Sequence, residues 1–267
     1  MTIAALPMYD PPELQAANDA LWTAIRVRLE SDGVDAPERL TRGLPLEAIW
    51  SDPRLLLAQT CGYPLVTTLR DRVGMVATPC YGAPGCDGPL HRGVVVVRQN
   101  DPATILADLR GRRYALNDPA SNTGMNLIRA LIAPLTHGEA FFGAVTVTGA
   151  HAASAEAVAA GEADVAAIDC ITFTLLQRLR PSTTRWLRVL AWTAPSPGLP
   201  LVTAAATNAP TRAALSRALA DLARDPSLRE TRAELLLESF DVLPVSHYEA
   251  VLDLERSAVA HGYPVLR

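Results

Sequence analysis

The sequence contains no lysine, so all 24 of its basic residues are arginine. Without lysine no Schiff base can form on a side chain, which excludes covalently held pyridoxal phosphate, and we expect no cofactor. Any anion that the chain binds must be held by arginine, hydroxyl groups or backbone N–H groups. The 28 acidic residues give a net charge of −4, so there is no electrostatic reason to expect nucleic acid as a partner.

The sequence also lacks any apolar run of about 18 residues, so we expect neither a transmembrane helix nor insertion into a membrane. Residues 1–10 lack the basic region and the long apolar core of a secretory signal, which favours a cytoplasmic location. A periplasmic location stays open for a chain whose leader has been removed or replaced.

Only four cysteines are present, and no two of them form a C-x-x-C pair. Cys61 and Cys170 lie in apolar stretches that are typical of packed thiols. Cys80 and Cys86 share a loop rich in proline and glycine and could close a small disulfide in an exported protein, a question that the sequence leaves open. With His91 they make at most a weak metal pattern, and we expect no metal site.

Short apolar strands alternate with helical segments along the 267 residues, as in βα units. The all-apolar strand at 93–97 indicates a sheet covered on both faces. We therefore predict an α/β fold of two lobes, each a mixed, mostly parallel sheet flanked by helices, with two crossovers between them. Residues 1–94 and 196–267 are expected to form the first, discontinuous lobe, and residues 95–195 the second. Within the first lobe, residues 226–238 are predicted to be a helix.

One stretch of the second lobe has the pattern of an anion-binding helix start. A predicted strand, Arg113–Leu116, is stopped by an Asp-Pro pair, and an apolar helical run begins a few residues later. Ser121, Asn122 and Thr123 lie where this helix needs a cap. Backbone N–H groups, the positive end of the helix dipole and two hydroxyls therefore meet at one point, which favours a small oxyanion. An ordinary N-cap is the alternative interpretation.

Other side chains with binding chemistry also follow predicted strands: Tyr9, Gln59, Tyr81, His151 and Asp169. Ligands of open α/β sheets bind outside the carboxyl ends of the strands, so these residues join the candidate site. His151 and Asp169 each open a predicted helix and could be ordinary N-caps instead. Tyr9 and Tyr81 could be half-buried packing residues.

Two motifs resemble those of the phosphate/phosphonate solute-binding proteins of ABC transporters. Residues 109–124 read L-R-G-R-R-Y-A-L-N-D-P-A-S-N-T-G, similar to the family pattern D-L-x-G-K-x-h-A-h-x-D-P-x-S-x-S-G, where h is hydrophobic. Residues 148–169 begin with T-G-A-H-A-A-S and end with V-A-A-G-E-A-D-V-A-A-I-D, similar to the family pattern G-S-H-x-x-S followed by V-x-x-G-x-A-D-h-A-h-D. The resemblance implies the two-lobed periplasmic-binding-protein fold of the type II topology, which closes on its ligand like a clamshell.

The same resemblance implies the roles of the site residues. Ser121, Asn122 and Thr123 would bind phosphonate oxygens in the cleft between the lobes, although asparagine and threonine replace a serine-rich run here. His151 would add a donor, and Asp169 would meet a cationic or hydroxyl group of the ligand. The first lobe would contribute Tyr9 and Tyr81. The implied function is capture of a small anionic ligand, phosphonate- or phosphate-like, for an ABC permease or as a soluble sensor, without catalysis.

The alternative is an enzyme on the same fold that acts on a small carboxylated metabolite, similar to menaquinone-pathway enzymes. Its chemistry would need only a carboxylate or a histidine near the substrate. Ser121, His151 and Asp169 could be imagined as a nucleophilic triad. However, the serine has no G-x-S-x-G elbow and lies where its oxygen caps a helix.

Overall fold

A computed structural model describes residues 2–267, which divide into two compact units. Unit 1 contains the chain up to Gly82, then Asp87–Pro89 and Pro197–His247. Unit 2 contains Ala83–Cys86, Leu90–Ser196 and Tyr248–Arg267. Each unit is a five-stranded mixed sheet with helices packed against it, so the predicted α/β class is confirmed. None of the helices in residues 2–267 is long and apolar enough to cross a membrane.

The strands are short, and most of them consist of buried apolar residues. In chain order they are β1 (Ile3–Ala5), β2 (Leu55–Gln59), β3 (Val73–Tyr81), β4 (Leu90–His91), β5 (Gly93–Arg98), β6 (Arg113–Leu116), β7 (Ala144–Val147), β8 (Val165–Asp169), β9 (Leu187–Trp192), β10 (Ser196–Pro197), β11 (Leu201–Ala204) and β12 (Leu237–Asp241). The four consecutive valines of β5 are fully buried, as expected for a strand covered on both faces.

The α-helices are α1 (Gln15–Ser31), α2 (Leu46–Trp50), α3 (Gly62–Val66), α4 (Ile128–Thr136), α5 (His151–Ala160), α6 (Cys170–Leu179), α7 (Pro181–Thr184), α8 (Ala209–Arg224), α9 (Arg229–Glu234) and α10 (Glu249–Ala260). Single 3₁₀ turns occupy Pro7–Tyr9, Pro12–Leu14, Leu106–Leu109, Pro226–Leu228 and Val245–Tyr248. A π-helical turn, Asn122–Leu127, leads directly into α4.

The sheet of unit 1 has the strand order β1-β2-β11-β3-β12. β1 and β2 run parallel, whereas β11 is antiparallel to both β2 and β3, and β12 is antiparallel to β3. The antiparallel share is larger than the sequence suggests, because β11 and β12 join the sheet from a later part of the chain. Buried apolar residues of α1, including Trp22 and Ile25, belong to the core of this unit.

The sheet of unit 2 has the strand order β7-β6-β8-β5-β9. β6 is parallel to both β7 and β8, so the carboxyl ends of these three strands lie at one edge of the sheet. β5 is antiparallel to β8, with Gly93 opposite Asp169, which brings the amino end of β5 to the same edge. We call this side of unit 2 the polar edge, defined by Asn117, Ser121–Thr123, His151, Asp169 and His91.

Residues 226–238, predicted as one helix, contain a helix and then the beginning of a strand. α9 ends at Glu234, and Leu236 has a left-handed backbone with φ of 58° that does not continue a helix. The Leu236 carbonyl accepts a hydrogen bond from Gly82 N at 2.8 Å, and β12 then pairs with β3. Pairing with a strand distant in sequence therefore overrides the local helical pattern.

Residues 248–267 pack within unit 2 and not with the first lobe, which corrects the expected division of the chain. The contacts are polar as well as apolar: Asn126 Nδ2 donates to the Val251 carbonyl at 2.8 Å, and Phe141 N donates to the Arg267 carbonyl at 2.7 Å. The chain therefore enters unit 2 once more at Tyr248, in addition to its passages near residues 82–90 and 196.

Candidate functional site

The predicted anion-binding helix start is a capped π-helical turn. Ser121 N donates to the Asp118 carbonyl at 3.0 Å, which ends the segment after β6 in a tight turn. Ser121 Oγ accepts a hydrogen bond from Gly124 N at 2.9 Å, so this serine is the N-cap. Asn126 N donates to the Ser121 carbonyl at 3.1 Å, which is the five-residue spacing of a π-helix. π-Turns are rare and recur at functional sites.

Buried side chains hold this turn against the sheet. Tyr114 Oη donates to the Gly124 carbonyl at 2.6 Å, and burial raises the pKa of Tyr114 well above its ordinary value. Asn122 Nδ2 donates to Ser196 Oγ at 2.9 Å. A Cβ on Gly124 would overlap Oδ1 of Asn117, so only glycine leaves this side chain in place. The turn is therefore fixed before any ligand binds.

Thr123 lies at the amino end of β5. Its Cγ2 is 2.8 Å from the point where a Cβ on Gly93 would be, so the absence of a side chain on Gly93 makes room for it. Gly93 N donates to Thr193 Oγ1 at 2.8 Å. The sequence prediction did not include Gly93, where the Thr123 and Thr193 side chains leave no room for a Cβ.

His151 lies beside the same turn, as the first residue of α5 after β7. Its Cε1 is 3.4 Å from the Cβ position of Gly124. Nδ1 of His151 is buried and has no hydrogen-bond partner among residues 2–267, and the same is true of Oδ1 of Asn117. Burial lowers the pKa of His151 to about 4, and the Asp169 charge raises it only in part, so the imidazole is neutral at pH 7. A neutral imidazole has one donor and one acceptor nitrogen.

Asp169 is paired with His91, which the sequence prediction missed as a partner. Asp169 Oδ2 and His91 Nδ1 are 2.8 Å apart, and both side chains are buried. The other carboxylate oxygen accepts from Thr172 N at 2.9 Å, so Asp169 is also the N-cap of α6, as the alternative interpretation held. The sequence signal for His91 was its place two residues before the buried strand that runs antiparallel to β8.

The pair is held in its charged form. Burial alone would raise the pKa of Asp169, but the hydrogen bond to His91 and the charge of His91 outweigh it and lower that pKa. Burial alone would lower the pKa of His91, but the hydrogen bond to Asp169 and its charge raise it above its ordinary value. Nε2 of His91 is buried with no hydrogen-bond partner in the part of the chain that the structure describes. No group of three or more His, Cys, Asp or Glu side chains in that part could hold a metal ion.

The predicted residues of the first lobe form a separate cluster within unit 1. The rings of Tyr9 and Tyr81 pack edge to face, with centroids 5.2 Å apart. Gln59 Nε2 donates to Tyr81 Oη and to the Leu199 carbonyl, both at 3.1 Å. All three side chains line one small, mainly apolar cavity. The structure thus brings Tyr9, Gln59 and Tyr81 together in unit 1, and the remaining predicted residues together at the polar edge of unit 2.

Solved structures with this fold include several binding proteins. A binding-protein component of an ABC phosphonate transporter from Pseudomonas aeruginosa is 15% identical, with 97% of this chain and 88% of that chain aligned at a TM-score of 0.78. PhnD1 of Prochlorococcus marinus, solved with methylphosphonate, is 14% identical, with 96% and 97% aligned at 0.76. XAC2383 of Xanthomonas citri, solved with ATP, is 16% identical, with 97% of each chain aligned at 0.71. Among curated protein sequences, none matches this chain.

The fold is therefore that of the periplasmic binding proteins, as the sequence motifs predicted. Residues 53–248 match the family described as the periplasmic substrate-binding proteins of phosphonate ABC transporters. Because this match covers well over half of the chain, the protein belongs to that family. Its members bind solutes for a transporter and are not enzymes, so the enzyme alternative is wrong. The geometry agrees, since Asp169 is bonded to His91 and the Ser121 oxygen to its own helix.

Proposed function

We propose that the polar edge of unit 2 binds a small phosphorus oxyanion of the phosphonate type, which the protein delivers to an ABC permease. The observation that carries the proposal is the meeting of the capped π-turn with the buried Nδ1 of His151, which has no partner among the described residues. A buried polar atom that the protein does not satisfy is costly, and its presence beside a helix start favours a polar ligand there.

The chemistry of the polar edge fits a tetrahedral oxyanion. The first turn of a helix presents N–H groups that have no intrahelical acceptor, and the dipole adds positive potential at the same point. Ser121 and Thr123 add hydroxyls. Because His151 is neutral and one of its ring nitrogens donates to the Ala167 backbone, the other nitrogen can accept a hydrogen bond from a protonated oxygen of the ligand.

Three further residues stay predictions of the proposal. Asp169 would accept a hydrogen bond from a hydroxyl or amino group of the ligand, because a carboxylate oxygen can accept more than one hydrogen bond. Tyr9 and Tyr81 would contact the organic part of the ligand, because their rings line an apolar cavity. These contacts would let the protein distinguish a phosphonate from inorganic phosphate.

The test is calorimetry and thermal unfolding of the purified protein with methylphosphonate, aminoalkylphosphonates, phosphate, phosphite, sulfonates, short carboxylates and ATP. A ligand at about 100 times its Kd should stabilise the protein by roughly 2.7 kcal/mol, a rise of several degrees in Tm. Binding of a phosphonate is the expected result. A response to carboxylates alone, or to ATP alone, would overturn the choice of ligand.

The decisive variants change the hydroxyls of the turn. Ser121→Ala combined with Thr123→Val should weaken phosphonate binding by about a hundredfold or more, because each of the two hydrogen bonds to a charged group is worth roughly 1.5–3 kcal/mol. The matched control is Ser182→Ala with Thr183→Val, which changes the same residue types at the start of α7. Equal affinity in the two double variants would mean that the ligand binds elsewhere.

The family implies a permease as partner, and a periplasmic location when the protein is exported. We propose both for this chain. Fractionation of the native host places the protein, and co-purification with a permease tests the partner. The predicted closure around the ligand stays a prediction: small-angle scattering should give a smaller radius of gyration with ligand than without it.

A further inference from the structure

Two cysteines that are distant in the sequence lie side by side in unit 2. Sγ of Cys86 and Sγ of Cys170 are 3.6 Å apart, although 84 positions separate them along the chain. Among residues 2–267 no cysteine is in a disulfide. The sequence had suggested Cys80 as the partner of Cys86, but Cys80 Sγ is directed at the Thr78 carbonyl within unit 1.

The two thiols differ in accessibility. Cys86 is half-buried and ends a short turn that is closed by a hydrogen bond from its N to the Ala83 carbonyl at 3.0 Å. Cys170 is buried as the first residue of α6, and its N donates to the Arg92 carbonyl at 3.1 Å. Cys86 is therefore the more accessible of the two cysteines to a reagent in solution.

We propose that Cys86 and Cys170 form a disulfide when the protein meets a low-molecular-weight disulfide, such as oxidised glutathione. The Cys86 thiolate attacks one sulfur of the reagent, which forms a mixed disulfide and releases one thiol. The Cys170 thiol then loses its proton and attacks the Cys86 sulfur, which forms the protein disulfide and releases the second thiol. The two cysteines are oxidised, and one disulfide of the reagent is reduced to two thiols.

The positions of the two sulfurs favour this order of events. Contact with Cys86, burial and the Asp169 charge raise the pKa of Cys170, so Cys170 stays protonated while Cys86 reacts first. A disulfide requires the sulfurs to approach to about 2.05 Å, a shift that rotation about two side-chain bonds can supply. The periplasm, where proteins of this family work when exported, is an oxidising compartment in which such bonds persist.

The bond would brace the polar edge. Cys170 directly follows Asp169, and Cys86 lies five residues before His91. The disulfide would therefore join the two segments that supply the buried Asp169–His91 pair. We expect the disulfide to keep the Asp169–His91 pair together under heat or denaturant. This effect does not depend on which ligand the polar edge binds.

Peptide mapping tests the proposal on the whole protein. Cleavage after arginine places Cys80 and Cys86 together on residues 73–92, and Cys170 alone on residues 130–178. After equilibration of the folded protein with oxidised glutathione and alkylation of remaining thiols, mass spectrometry should find these two peptides linked. The proposal would be overturned if Cys86 and Cys170 were alkylated or glutathione-modified after equilibration. A disulfide between Cys80 and Cys86 within residues 73–92 would also overturn it.

Two cysteine variants identify the linked pair, so the test does not rest on the folding of a single variant. Cys80→Ser should keep the link between the two peptides, and Cys86→Ser should abolish it. In the unsubstituted protein, oxidation should raise Tm by roughly 5–10 °C, reversibly with dithiothreitol, because the bond closes a long loop. The same treatment should leave Tm of Cys86→Ser unchanged. A rise in Cys86→Ser equal to that of the unsubstituted protein would contradict the assignment.

Discussion

The two units have the same architecture, a five-stranded mixed sheet with helices, but their predicted site residues differ in chemistry. In unit 1 the predicted residues are Tyr9, Gln59 and Tyr81, neutral groups that contact one another around an apolar cavity. At the polar edge of unit 2, Asn117, His91 and His151 each have a buried polar atom without a partner in the described residues. Unit 2 therefore has the unsatisfied hydrogen-bonding capacity that a charged ligand would use.

This difference suggests a division of labour. It supports the proposal that unit 2 binds the charged group of the ligand. In unit 1 the buried polar atoms without a partner in residues 2–267 are Thr60 Oγ1, Arg26 Nε and Arg232 Nε, and none of them belongs to Tyr9, Gln59 or Tyr81. The predictions below challenge the comparison from the largest expected effect to the smallest.

The largest effect should come from Asp169→Ala, which leaves His91 without its buried partner. Removing one member of a buried ion pair typically costs about 3–5 kcal/mol of the free energy of unfolding. Asp169→Asn is the matched control, because it keeps an acceptor for Thr172 N and loses only the charge. Urea unfolding measures both variants. If Asp169→Asn, which loses the charge alone, is as stable as the unsubstituted protein, the buried charge pair is not what holds this edge.

Gly124→Ala should come next. The added Cβ would overlap Oδ1 of Asn117, so the asparagine or the π-turn must move, at a cost of about 1–3 kcal/mol in stability. Phosphonate affinity should fall as well, because the turn that presents its N–H groups is displaced. Combining Gly124→Ala with Asn117→Ala removes the overlap and should restore part of the stability. Unchanged melting and affinity in Gly124→Ala alone would contradict the fixed geometry of the turn.

The pKa values of the two histidines of the polar edge should be shifted in opposite directions. In NMR, His151 should stay neutral down to about pH 4, because burial lowers its pKa, whereas His91 should stay protonated above the ordinary range for histidine. The unfolded chain takes up a proton on residue 151 near pH 6.5, so stability should fall as the pH drops from about 6.5 to 4. His151→Gln should remove that part of the dependence, with His247→Gln as the matched control. A His151 that titrates normally would contradict its burial.

The smallest effect should come from Tyr81→Phe in unit 1. The variant removes the oxygen that accepts from Gln59 Nε2 but keeps the ring that packs on Tyr9, so the cost should be about 0.5–1.5 kcal/mol. Phosphonate affinity should change by only a few fold, less than in the double variant of Ser121 and Thr123. A larger loss than in that variant would reverse the comparison between the two units.

Much of this molecule could be predicted from local patterns. The alternation of buried strands and helices predicted the α/β class, and the Asp-Pro stop before a run of cap residues predicted the helix start at Ser121. His151 and Asp169 were found because each follows a strand, and parallel strands bring their carboxyl ends to one edge. These features depend on residues that are close together in the sequence.

The features that could not be predicted depend on long-range register. The pairing of His91 with Asp169 follows from β5 lying antiparallel to β8, and no local pattern states which strands are neighbours. The sequence around β12 has a helical pattern. The strand forms there because its backbone pairs with the edge of β3. The neighbourhood of Cys86 and Cys170 likewise arises from segments 84 positions apart.

The return of residues 248–267 to unit 2 has a consequence for biosynthesis. Asn126, in the π-turn, bonds to the Val251 carbonyl, and Phe141 bonds to the Arg267 carbonyl. On the ribosome, residues 90–196 emerge well before these partners, at about 5–20 residues per second. The π-turn therefore cannot reach its final packing during most of translation. A released chain that ends at residue 247 should fold unit 1 yet expose the helix that follows Ser121 to chaperones and proteases.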